Sequence, residues 1–110
     1  MKLWSYDYLD RLDDMIIGRN NGVVGNNKFK NPQPGDYGVV YAKVDGVVFA
    51  QAFRYLEPSD IQPWDKPWKY VYSVQFLSGI TEVPFLTTRD FKRGGQAKDT
   101  HQVVFTLCVK

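Results

Sequence analysis

Apolar and polar positions alternate most regularly in the middle of the chain. Tyr37, Val39 and Tyr41 interleave with Gly38, Val40 and Ala42, and the Asp45–Gly46 pair is a two-residue hairpin signal. Residues 47–56 then predict the returning strand, with Phe49 and Phe53 in step. Residues 69–77 predict another strand, placing Tyr70, Tyr72, Val74 and Phe76 on one face and Val71, Ser73 and Gln75 on the other. Ser78–Gly79 turns the chain, and residues 80–85 extend past Pro84. Nearer the start, residues 2–4 predict a short strand, and Ser5 or Asp7 offers a helix cap. Leu9, Leu12 and Ile16 form one helical stripe that Gly18 can end, with Asp13 and Asp14 off the stripe and solvated. Residues 19–34 are a polar loop pinned by Val23, Val24 and Phe29. Residues 86–91 suit a single helical turn, Gly94–Gly95 a loop, and residues 102–109 a last strand.

One helix and five or six strands in 110 residues predict an α+β fold. The expected form is a small, curved, mostly antiparallel β-barrel with the helix plugging one end. A single domain over residues 1–110 is expected, ending on its last strand or cut from something longer.

Composition narrows the function. At 44% hydrophobic and 24% charged residues, the chain has room for one modest core, and 15% aromatic content is rich for its size. No apolar run reaches the roughly 18 residues that span a bilayer, and the Met1 end lacks a signal-peptide pattern, so an intracellular, membrane-free protein is expected. The lone cysteine, Cys108, excludes an internal disulfide. Catalytic parts are scarce. His101 is the only histidine and makes neither a metal set nor a convincing pair with Cys108. Gly22-x-x-Gly25 lacks the Gly-Lys-Ser/Thr of a phosphate loop. A non-enzymatic binding module without cofactor or metal is the expectation.

The net charge of +2 is small, but its distribution is uneven. Residues 1–17 hold Asp7, Asp10, Asp13 and Asp14 against Lys2 and Arg11. Basic residues instead gather in two glycine-bearing loops, the first also rich in asparagine: Arg19, Lys28 and Lys30 in one, and Arg89, Lys92, Arg93 and Lys98 in the other. They are either solvated surface charges or phosphate contacts around a binding mouth.

The loop before the 69–77 strand carries Trp64 and Trp68, stiffened by Pro63 and Pro67. Two large rings there either cap the core or grip something flat. With Asp60 and Asp65 beside them, they also fit a protein-interaction module whose cage takes a methylated lysine or a partner's side chain.

Several segments, in order, resemble the YTH domain and its prokaryotic relatives, the EVE domains of the PUA-like superfamily. Gly22-Val-Val-Gly-Asn-Asn-Lys-Phe-Lys-Asn31 is similar to the family's Gly-Val-Trp turn and the Lys-Leu-Asn-like step after it. The hairpin over residues 37–54 looks like the family's central hairpin, and Gly35–Asp36 before it is similar to the EVE branch. Trp64 sits where a cage tryptophan precedes the strand Lys69-Tyr-Val-Tyr-Ser-Val-Gln-Phe-Leu77. Lys98-Asp-Thr-His-Gln-Val103 looks like the late Arg-Asp-Thr-Gln-Glu-Val motif of YTH domains and is the most specific of these matches.

The resemblance implies a reader of a modified base, N6-methyladenine first among them, flipped into an aromatic pocket, as in modification-dependent restriction. Trp64 and Trp68 would be its walls, and Val24 stands where the family has another cage tryptophan, leaving Trp4 to supply the ring. Ser5, Tyr6 and Asp7 occupy the region where the family reads the base edge. Lys98 would meet the phosphate, with Arg19, Lys28, Lys30 and Arg93 as further contacts. The implied partners are DNA or RNA carrying a methylated base and a fused or associated restriction ATPase or nuclease, the isolated domain being monomeric.

Overall fold

A computed structural model describes residues 3–28 and 32–83. The chain runs β1 (Leu3–Asp7), α1 (Leu12–Asn21), β2 (Val23–Asn26), β3 (Tyr37–Val44), β4 (Val47–Pro58), β5 (Tyr70–Phe76) and β6 (Thr81–Glu82). The strands form one curled, mixed half-barrel sheet in the order β1-β3-β4-β5-β2, with β6 also on β4. This half-barrel with its single helix is consistent with the small α+β barrel expected from the sequence. The β1–β3 pair is parallel and the other pairings are antiparallel.

The twelve residues of β4 are the spine. Its first half pairs with β3 through a hairpin in which Val44 faces Val47 and both turn residues have positive φ, 52° at Asp45 and 80° at Gly46. That is the geometry a tight hairpin with native twist requires, and Asp–Gly supplies it with little strain. Its second half pairs with β5, with a register shift between Tyr55 and Glu57 that leaves Leu56 exposed. Period-two alternation on β5 is as read: Tyr70, Tyr72, Val74 and Phe76 join the barrel core, while Val71 joins Val23 and Trp64 on the opposite side.

Several local expectations are corrected. The segment 19–34 is not all loop, because Val23–Asn26 pairs with β5 and all four of its residues are buried. Val23 and Val24 face opposite clusters, so the strand is buried on both sides and shows no amphipathic alternation. Leu9 lies outside the helix and Ile16 points outward, at 65% and 44% exposure. The buried face of α1 is instead Asp14, Met15 and Gly18. Neither Ser5 nor Asp7 caps α1: Arg11 occupies the cap position without a side-chain bond, and Asp7 Oδ1 accepts from the Leu9 amide at 2.8 Å. Gly18 does not end the helix. It lets α1 press on β2, because a Cβ there would lie 2.6 Å from the Val23 carbonyl oxygen. Gly22 is the C-cap, at φ 70°. Asp14 is buried, held to Arg11 by a 2.6 Å ion pair.

The turn between β1 and α1 is strained. Leu9 has φ 56°, a left-handed conformation costing about 1–2 kcal/mol for a residue with a Cβ. It is held there by the Asp7 bond on its amide and by the Lys43 amide, 2.7 Å from its carbonyl oxygen. The expected features over residues 86–91, 94–95 and 102–109 lie outside the described residues.

Candidate functional site: an indole stacked at the barrel seam

β1 and β2 are the two ends of the sheet order, so the half-barrel has a seam between them. Trp4, Tyr6 and Tyr8 project from β1 and its exit at period two, and all three join the barrel core. At the seam, the Tyr8 hydroxyl donates to the Gly25 carbonyl oxygen at 2.9 Å and accepts from the Gly25 amide at 3.0 Å. One side chain thus satisfies both edge groups of a β2 residue. Burial holds the Tyr8 phenol neutral, raising its pKa well above the usual value of 10.0.

Trp68 lies over this junction. Its ring stacks on Tyr8, with centroids 5.0 Å apart and planes at 18°. Gly25 is the reason it fits, since a Cβ there would lie 2.5 Å from the indole Cδ1 and Cγ. Gln62 fixes the backbone under the ring: its Nε2 donates to the Trp68 carbonyl at 2.8 Å, and its Oε1 accepts from the Trp68 amide at 3.1 Å. The Arg11 guanidinium lies 5.9 Å from the ring centre. Trp68 remains half-buried; its indole N–H is itself buried and has no hydrogen-bond partner among the described residues.

The other candidate pocket residues fall in different surroundings. Trp64 is buried, its indole N–H donating to the Asp14 carbonyl at 2.9 Å. It meets Trp68 edge to face, 6.1 Å apart at 87°, so the two rings touch and do not stand as walls across a gap. Trp4 shares the core with Val24, and its N–H donates to Asp36 Oδ2 at 3.1 Å. The same carboxylate oxygen accepts from the Gln33 amide at 3.0 Å. Tyr6 is buried and receives the Tyr55 hydroxyl at 2.5 Å, and burial raises the pKa of both phenols far above the usual range. Ser5 is buried, and Asp7 is exposed. Trp4, Tyr6, Val24 and Trp68 are therefore gathered on one core, whereas Trp64 packs with Val23 and Val71. A crevice lined by Tyr8, Met15, Val24, Val40 and Phe76 runs against the helix, too narrow for a water molecule. Of the three tryptophans, Trp68 alone is partly exposed.

Of the candidate phosphate contacts, Lys98, Lys30 and Arg93 lie outside the described residues. Arg19 donates to the Ser78 carbonyl at 2.7 Å, and its guanidinium lies 5.6 Å from the Phe76 ring centre. That arrangement ties the end of α1 to the turn after β5. Lys28 is exposed at the end of β2.

Tyr8, Arg11, Gly25 and Gln62 were not among the site residues expected from the sequence. The run Trp4, Tyr6, Tyr8 was the available signal, because its spacing continues the first strand beyond Trp4. Among the described residues, no three His, Cys, Asp or Glu side chains gather as a metal site, and no helix is long and apolar enough to cross a membrane. Compared with known proteins, the chain matches no family model, no curated protein and no solved structure.

Proposed function

We propose that this chain is a non-catalytic nucleic-acid-binding module that stacks an unpaired, modified base on Trp68, with N6-methyladenine the first candidate. The observation carrying this reading is the half-buried indole, stacked on Tyr8 and with its own backbone held by the Gln62 side chain. Base–aromatic stacking contributes roughly 1–3 kcal/mol per base, and an added methyl carbon about 0.8 kcal/mol when buried. A rigid ring gains most of this because little side-chain freedom remains to be lost on binding.

A methyl-lysine cage is the less favoured reading. The cation position near Trp68 already belongs to Arg11, so an incoming ammonium would meet a like charge. The test is binding of methylated and unmethylated oligonucleotides, and of methyl-lysine peptides, to the wild type and Trp68→Ala. Selective loss of methylated-oligonucleotide binding supports the proposal, and preference for the peptide overturns it.

A further inference from the structure

The ends of β2 and β5 meet beside Trp68. Asn26 pairs with Tyr70 as the last step of the β2–β5 ladder, and beyond it the Lys69 amide donates to Asn27 Oδ1 at 2.7 Å. The Lys28 amide donates to Asn26 Oδ1 at 2.8 Å. Side-chain oxygens of two consecutive asparagines therefore fix the backbone at both lysines, leaving their side chains exposed. Lys69 directly follows Trp68 in the chain, and its Nζ lies 5.4 Å from the Tyr70 ring centre. Neither Lys28 nor Lys69 forms an ion pair with a described carboxylate. Around the turn into α1 the charge has the other sign: Asp10 and Asp13 are exposed, and Arg11 is already engaged by Asp14.

We infer that Lys69 and Lys28 are the phosphate-contacting pair for the nucleotide whose base lies on Trp68, so that the strand crosses the β2–β5 end, away from Asp10 and Asp13. This rests on the base-stacking reading above and adds to it the path of the backbone and a contact, Lys69, that the charge pattern of the sequence did not single out. Arg19, spent on Ser78 and Phe76, has no part in it.

The test is the salt dependence of affinity for a short single-stranded oligonucleotide carrying one N6-methyladenine. Each phosphate contact on a single strand contributes about 0.7 to the slope of log affinity against log salt. Lys69→Gln and Lys28→Gln should each lower the slope by about that amount, the double variant by about twice it, and Arg19→Gln should leave it unchanged. Thermal melting checks that these exposed substitutions leave the fold intact. Wild-type slopes in both lysine variants would overturn the inference while leaving the stacking proposal standing. If Trp68→Ala binds like the wild type while the lysine slopes fall, the stack is wrong and the cationic path right. Failure of the wild-type protein to bind the oligonucleotide at all overturns both.

Discussion

The Tyr8 hydroxyl and the Gly25 backbone close the seam of the half-barrel, one phenol giving and receiving a hydrogen bond at the same residue. Tyr8→Phe keeps the ring under Trp68 but leaves a buried donor and acceptor on Gly25 without partners. Destabilisation of about 1–3 kcal/mol is expected in urea unfolding. A variant as stable as the wild type would show that the seam is closed by ring packing alone.

Gly25→Ala should act on the Trp68 ring from below. The new Cβ would sit 2.5 Å from the indole, so the ring has to leave Tyr8 or the strand has to shift. Overpacking of this kind costs about 1–3 kcal/mol. Red-shifted, more readily quenched tryptophan fluorescence should accompany the lost stability, and an unchanged spectrum would contradict the described packing.

Alkaline pH should unfold the protein. Burial raises the phenol pKa values of Tyr6, Tyr8 and Tyr55, which in the unfolded chain return to about 10. Above that pH the unfolded state has released protons that the folded state retains, so stability falls as pH rises. Below it the contribution is fully present. Each phenol adds a slope of up to about 1.4 kcal/mol per pH unit above pH 10. Tyrosinate absorbance of these three should appear together with loss of circular dichroism, and titration of all seven tyrosines within the folded protein would refute the assignment.

Gln51 sits on β4 opposite Val40, fully buried, and neither atom of its amide has a hydrogen-bond partner among the described residues. Gln51→Met replaces that amide by an apolar chain of similar length. It should raise stability by about 1–3 kcal/mol, since an unpaired buried polar group is removed. A fall in stability would mean that the amide is satisfied in solution.

The parts of the fold legible in the sequence are those determined by local chemistry. Asp45–Gly46 specifies its turn without outside help, and the alternation through Tyr70–Phe76 specifies one buried face. β2 was not legible, because Val23, Val24, Gly25 and Asn26 are strand residues only through pairing with β5, about fifty residues away in the chain. Leu9 and Ile16 imitated a helical stripe, yet the chain turns at Leu9 and hides Asp14 instead, paired with Arg11. For the site, the tryptophan loop was legible as an aromatic feature. Which ring stays accessible was not, since that depends on Trp64 reaching Asp14 and Trp68 settling over a residue without a Cβ.

Trp68 is the proposed surface on which a modified base lies. The direct measurement is the affinity of the wild type, Trp68→Ala and Trp64→Phe for paired oligonucleotides with and without one N6-methyladenine. The wild type should prefer the methylated strand, and Trp68→Ala should lose at least about 1 kcal/mol of binding. Trp64→Phe should lose stability, through the missing bond to Asp14, while keeping that preference. Equal binding of methylated and plain strands by the wild type, or an unimpaired Trp68→Ala, would contradict this proposal.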